Sequence, residues 1–256
     1  MREVNLDEVR SWAEQAGQIA LSHFRNLYVR RKPDRSLVTQ ADVEIEQFIT
    51  ARISESYPEH GIIGEEQTHE HVHRPFVWAV DPVDGTSAFV AGLASWGVSL
   101  GLLYNRQPYT GVIHIPMTGD MYWAVPGGDA LMNGEAIHVA PERAWDSEDW
   151  IAIPSDSHRV FDISFPGKTW GLGSTVAQFG YVARGHAVGA LVTNVSIWDI
   201  AAGMPLLAAA GGVAVTLDGQ PLDIAPLLEG RRRTAPFIIA APSHAERLLQ
   251  HIRVRT

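Results

Sequence analysis

Apolar residues recur at helical spacing early in the chain, at Val9, Trp12, Ala13, Ala16, Ile19, Ala20, Phe24 and Leu27. This spacing predicts an amphipathic helix over residues 6–27 that packs rather than catalyses. Thr39-Gln-Ala-Asp42 reads as a capping box ahead of Val43, Ile45, Phe48, Ile49 and Ile53, so a second helix is expected to end at Tyr57-Pro58. From residue 76 to about 139 the pattern shortens to β-prone runs at 76–81, 96–104, 109–115 and 120–125, separated by Gly, Pro and Asn. That is the pattern of an antiparallel meander covered on one face by the two helices. After the polar stretch 141–149 the period alternates: strands at 150–153 and 169–172, a helix at 174–184, a strand at 187–193 and a helix at 197–210. Strands at 213–217 and 237–240 and a helix at 243–252 follow. Alternation of this kind predicts an α/β layer. The expected organisation is an N-terminal α+β domain of residues 1–140 with an antiparallel sheet, followed by an α/β domain of residues 141–256.

With 256 residues and 46% hydrophobic content, the chain can bury a substantial core. A net charge of −9 argues against nucleic acid or an anionic membrane as a partner, and it leaves any phosphate ligand in need of cations. The absence of cysteine removes disulfides, thiolate nucleophiles and thiolate metal sites. The start, Met1-Arg-Glu-Val-Asn, lacks the apolar core of a signal peptide, and no apolar run approaches membrane-spanning length, so a cytoplasmic location is expected.

The most informative stretch is Trp78-Ala-Val-Asp81-Pro-Val-Asp84-Gly-Thr86. An apolar run carries Asp81 to a strand end, Pro82 keeps Asp81 extended, and Asp84-Gly85 supplies turn chemistry. Gly85 and Thr86 would open a short segment, Ser87 to Ala91, whose free N–H groups favour an anion. A loop with two turn-forming aspartates leaves the same trace. Upstream, Gly64-Glu65-Glu66 follows Ile62-Ile63, a second strand end bearing acids. Downstream, Trp198-Asp199-Ile-Ala-Ala-Gly203 places an aspartate at the start of an apolar helix. The three segments in this order resemble the inositol monophosphatase family of Mg²⁺-dependent, lithium-sensitive phosphatases. That family also holds histidinol-phosphate phosphatases and some fructose-1,6-bisphosphatases. The resemblance runs from about Lys32 to Gly212.

It implies a layered αβαβα sandwich of the inositol monophosphatase and fructose-1,6-bisphosphatase type, with the cleft between the sheets. It also implies metal ligation by Glu65, Asp81, Asp84, Asp199 and the main-chain carbonyl of Val83. Carboxylates converging in a cleft repel unless cations are present, and hard oxygen donors select Mg²⁺, two or three ions, with Mn²⁺ the alternative. Asp42 is expected to hydrogen-bond Thr86, the pair polarising a water shared with Glu65, while the Gly85 and Thr86 amides hold phosphoryl oxygens. Lys32 matches a lysine near the phosphate, and Ser174 and Asn194 are candidate substrate contacts. The implied reaction is hydrolysis of a small phosphate monoester by a metal-activated water, in a homodimer.

Several of these residues have local explanations. Ser196-Ile-Trp-Asp199 is itself a capping sequence, as is Thr39 to Asp42. Arg30-Arg31-Lys32 is equally a solvated basic run, His69-Glu-His71-Val-His73 reads as a solvated loop, and Arg231-Arg232-Arg233 reads as surface. Val192 stands where inositol-specific relatives carry a glutamate that binds ring hydroxyls, and the segment between the strands near 150 and 170 is short for the family. The stretch from Asp84 to Gly97 looks more like the histidinol-phosphatase branch. The substrate is therefore expected to be a small polyol or sugar phosphate, with histidinol phosphate and fructose 1,6-bisphosphate as alternatives. A role as an interaction protein of the transcription machinery is the alternative of another kind.

Overall fold

A computed structural model describes residues 4–25, 28–33, 36–66, 68–229, 232 and 235–255. Helix α1 (Leu6–His23) starts at Asn5, whose Oδ1 accepts from the Asp7 and Glu8 amides at 3.0 and 3.4 Å. It ends before residue 27, because Phe24 turns extended and Arg25 adopts a left-handed φ of 76°. Leu27 lies outside the described residues. The antiparallel pair β1 (Val29–Arg31) and β2 (Leu37–Thr39) leads into α2 (Gln40–Ser56), which stops at the C-cap Tyr57 as expected.

Next come β3 (Gly61–Gly64), β4 (His69–Glu70), β5 (Phe76–Asp84), the short α3 (Thr86–Val90), β6 (Gly97–Tyr104), β7 (Gln107–Ile115), β8 (Asp120–Ala124), β9 (Ala130–Met132) and β10 (Glu135–Ala136). They form an eight-stranded sheet in the order β10-β9-β8-β7-β6-β5-β3-β4. From β5 to β10 it is the antiparallel meander read from the sequence. The exception is β3, which pairs parallel with β5 because the chain between them crosses over through the edge strand β4. His69-Glu70 therefore builds a short sheet edge instead of a free loop.

The second half contributes β11 (Trp150–Ala152), α4 (Ser157–Val160), β12 (Phe161–Ile163), β13 (Lys168–Trp170), α5 (Thr175–Ala183), β14 (Gly189–Val192), α6 (Ile197–Ile200), α7 (Gly203–Ala209), β15 (Val213–Thr216), a 3₁₀ turn Ala225–Glu229, β16 (Phe237–Ala240), α8 (Pro242–His251) and β17 (Ile252–Val254). A five-stranded sheet runs β13-β11-β14-β16-β15, parallel from β13 to β14 and antiparallel beyond, while β12 pairs with β17. The helix predicted over 197–210 is divided. Its backbone stays helical through Ala201 and Ala202, but Pro205 has no N–H to give to the Ala201 carbonyl, so the hydrogen-bond ladder lapses there.

Stacking the elements gives five layers: α1 and α2, the eight-stranded sheet, then α5, α6 and α7, the five-stranded sheet, and α8. The largest core cluster joins both sheets through the central helices, from Ile63 and Ile113 to Phe179, Leu206 and Ile239. Val192 belongs to this cluster at 1% exposure, beside its strand partner Phe237, and the chain reaches the cleft only at Thr193 and Asn194.

Replacing Val192 with glutamate should place an unpartnered carboxyl in the core and lower the melting temperature by roughly 10 °C or more. Thermal denaturation followed by circular dichroism checks this. Melting within about 2 °C of the parent would mean that the 192 side chain escapes to solvent.

Candidate active site

Residues an odd number apart on a regular strand point to opposite faces. Asp81 and Asp84 are three apart, yet they meet. Across the β5–β6 ladder Asp81 pairs with Ser99 and Asp84 with Gly97, so three steps of β5 match two of β6. The extra residue is a bulge that turns both carboxylates to one side. Pro82 falls within it, where no N–H is required of it. The Val83 amide donates to Asp81 Oδ1 at 3.1 Å and fixes the turn.

Asp199 arrives from α6 in the next layer. Its Oδ2 accepts from the Ser196 amide at 2.7 Å, so it caps its own helix and faces the cleft at once. The junction of α6 and α7 lies hard against the sheet: a Cβ on Gly101 would stand 2.5 Å from Ala201, and one on Gly111 2.4 Å from the Ala202 Cα. Ser99 Oγ donates to the Trp198 carbonyl at 3.2 Å and completes the docking. As a result Asp81, Asp84 and Asp199 each offer an oxygen, all within 4.8 Å of one another.

These carboxyls are deeply desolvated. Burial, with the charge of Glu65 and of one another, pushes the Asp81 carboxyl well up from the ordinary value. Burial raises Asp84 to about 7 against the opposing hydrogen bonds from Ser174 and Val176, and it raises Asp199 to about 8, helped by the charge of Asp84. A hard divalent cation is the partner this donor set fits, because it offers oxygen ligands only.

Gly85 follows at φ 84°, and a Cβ there would meet the Gly173 carbonyl at 2.8 Å, so both conformation and space exclude a side chain. It turns the chain into α3, whose first-turn amides lack intrahelical partners and border the cleft. The Thr86 hydroxyl lies 3.1 Å from the Val83 carbonyl and 3.5 Å from Asp42 Oδ1. Asp42 is fully buried, and Oδ2 accepts from the Thr39 amide at 2.7 Å and from the Thr39 hydroxyl. It thus closes the α2 capping box while reaching Thr86. Burial is the main cause that moves it to about 6. Ser174 caps α5 by accepting from the Ala177 amide and donates its hydroxyl proton to Asp84.

Glu65 borders the same cleft, of about 480 Å³, but stands outside the three-aspartate group. Its carboxylate pairs with Lys32 at 3.1 Å, and Lys32 also bonds Glu66 at 2.7 Å. Lys32 is half-buried between two acids and is not a solvated cation. Arg232 is exposed, as its basic run suggested, but it also borders the site: its Nε donates to the Asn194 carbonyl at 2.9 Å, and both residues line the cleft with Arg31, Thr193, Ser155 and Gln178. Arg231 and Arg233 lie outside the described residues. The signal for Arg31 and Arg232 was the presence of two basic tripeptides in an acidic chain. The exposed imidazoles of His71 and His73 stack edge to face at 6.3 Å, and no metal-ligand group includes them among the described residues.

The family model described as the inositol monophosphatase family matches residues 3–254. A histidinol-phosphatase of Chlorobaculum parvum is 31% identical over 247 residues, covering 92% of this chain and 95% of its own. The structure of an IMPase of Thermotoga maritima superposes with a TM-score of 0.82 at 25% identity, covering 96% of this chain and 95% of that one. An IMPase/NADP phosphatase complexed with Mg²⁺ and phosphate superposes at 0.79 and 25% identity, over 96% and 94%.

Since the buried acids hold their protons more tightly in the folded chain than the ordinary value of 3.8, the stability they contribute is complete below that value. It is lost as pH rises through about 7 and 8. The protein in chelator should therefore melt at progressively lower temperature between about pH 5 and pH 8, and saturating Mg²⁺ should restore far more at pH 8 than at pH 5. Melting curves with and without Mg²⁺ test this. A temperature that rises with pH in chelator would contradict the charge assignment.

Proposed function

The chain belongs to the inositol monophosphatase family, and from that premise we propose that it is a Mg²⁺-dependent phosphomonoesterase acting on a small polyol or sugar phosphate. The observation that carries the reading is the meeting of three aspartates from two layers of the fold, two of them buried and Asp199 partly buried. Glu65 and the Val83 carbonyl, which borders the cleft beside them, complete the ligand set in this reading. Bound Mg²⁺ supplies positive charge to phosphoryl oxygens and acidity to an attacking water.

The protein's own groups do the rest. The Gly85 and Thr86 amides receive phosphoryl oxygens at the α3 end, as preorganised donors that need no reorientation. Thr86, tied to Asp42, orients the nucleophilic water, and Glu65 accepts its proton. Arg31 and Arg232 at the cleft draw a dianionic ester into an otherwise acidic protein. Lys32 holds Glu65 and Glu66 in place and acts on the phosphate only through them. The leaving group faces Thr193, Asn194, Gln178 and Ser155, a wall of neutral hydrogen-bonding side chains suited to hydroxyls. Ser174, engaged with Asp84, positions that ligand. The similarity to a histidinol-phosphatase favours histidinol phosphate as the second reading. Turnover of inositol 1-phosphate, histidinol phosphate and fructose 1,6-bisphosphate compared by kcat/KM decides between them.

Among the described residues no helix is long and apolar enough to cross a membrane. The reading places the enzyme in the cytoplasm as a homodimer.

Asp84→Asn should lower kcat at least 100-fold at saturating Mg²⁺, because it removes charge from the cation site, while the melting temperature in chelator holds or rises. Retention of more than about a tenth of the parent activity would contradict the ligand role. Turnover should also cease in excess chelator and fall in millimolar lithium. Undiminished turnover in chelator would refute the metal requirement.

A further inference from the structure

Asp42 and Glu46 stand one turn apart on α2 and so project from the same side. Both are buried, at 0% and 3% exposure. Two carboxylates stacked inside a protein are desolvated and repel each other, so packing alone would favour apolar residues at these positions. Each holds a different wall of the cleft. Asp42 reaches Thr86 at 3.5 Å. Glu46 reaches the turn that carries Glu65 and Glu66: its Oε2 accepts from the Glu66 amide at 2.7 Å, and its Oε1 from the Thr68 amide and hydroxyl, both at 2.9 Å.

The turn is otherwise tied at its ends. Gly64 N donates to the Thr68 carbonyl at 2.7 Å, and Glu65 N to the Val80 carbonyl at 3.1 Å. A Cβ on Gly64 would lie 2.5 Å from Glu46 Oε2, so a side chain there must displace that carboxylate. Glu65 is thus fixed on one side by β5, through Val80, and its neighbour Glu66 on the other by a single carboxylate rooted in α2. Glu65 and Glu66 together grip Lys32.

We propose that Glu46 is a positioning residue for the phosphatase reaction: its buried carboxylate clamps the Glu65–Glu66 turn and sets where Glu65 stands relative to the Asp42–Thr86 pair and the three aspartates. The proposal rests on the reading of Glu65 as a Mg²⁺ ligand. A helix that anchors both Thr86 and the turn next to Glu65 makes the spacing of these two walls depend on two side chains one turn apart. Glutamine at 46 keeps the shape but offers one acceptor oxygen where two groups of donors converge. Alanine at 64 pushes the same carboxylate from the opposite side.

The test is a Mg²⁺ titration of the whole protein, read by thermal shift and in parallel by phosphate release, for the parent, Glu46→Gln, Gly64→Ala, Glu65→Gln and the Glu46→Gln/Glu65→Gln double variant. Glu46→Gln and Gly64→Ala should each raise the Mg²⁺ concentration giving half the thermal shift by about 10-fold, with a similar fall in kcat. In the Glu65→Gln background, adding Glu46→Gln should move the half-shift concentration less than about 2-fold, since the lost effect acts through Glu65. A merely structural Glu46 would lower the melting temperature in chelator and leave the half-shift concentration unchanged, or change it equally in both backgrounds. Either result overturns the proposal, as does a parent whose melting Mg²⁺ does not move. A parent that Mg²⁺ stabilises but that cleaves no ester would refute the phosphatase reading alone, and the thermal-shift arm would still decide the role of Glu46.

Discussion

Three carboxylates held within 4.8 Å of one another, Asp81 and Asp84 buried and Asp199 partly so, are the constraint on which the rest of the structure depends. Asp81, Asp84 and Asp199 gain nothing for stability by meeting as anions, because desolvation and mutual repulsion both oppose it. The fold makes them meet nonetheless. It uses a one-residue bulge at Pro82 to aim two of them, and side-chain-free positions at Gly101 and Gly111 to let the third be carried in from another layer. A site with this local cost is one that a bound cation stabilises, and it marks where chemistry and folding pull in opposite directions.

The surroundings follow from that conflict. Polar groups next to the cluster are engaged in holding a ligand oxygen or a turn: Ser174 and the Val176 amide on Asp84, the Ser196 amide on Asp199, the Val83 amide on Asp81. Helix α2 extends the arrangement outward, with Asp42 touching the start of α3 and Glu46 the turn after β3. Residues that look like ordinary caps in the sequence therefore serve twice. A capping carboxylate is already desolvated, oriented and placed at a helix end, so it needs only one further contact to join a site.

That double use explains what could and could not be read from the chain. Periodicity located the two N-terminal helices, the meander and the alternating second half, because burial of one face leaves a repeating trace. The division of the helix after Ala201 escaped it, since Pro205 only removes a hydrogen bond from a stretch that stays apolar and helical in backbone. The parallel placement of β3 escaped it too, because pairing direction is set by a crossover and not by composition. The Asp81 to Thr86 motif was legible as chemistry, but its convergence with Asp199 is a long-range fact of layer packing. Arg232 is exposed, as its sequence suggested, but no local rule shows its guanidinium bonding the Asn194 carbonyl at the cleft. Glu46 carried no signal, being a glutamate in an amphipathic helix.

The central claim is that the three aspartates converge in order to hold hard cations. Crystals equilibrated with Mn²⁺ in place of Mg²⁺ and measured at the manganese absorption edge test it most directly. The account predicts anomalous density among Asp81, Asp84 and Asp199, with carboxylate oxygens at about 2.1 Å and Glu65 drawn into the same coordination sphere. An empty cluster under saturating Mn²⁺, its carboxyls held together by shared protons alone, would contradict it.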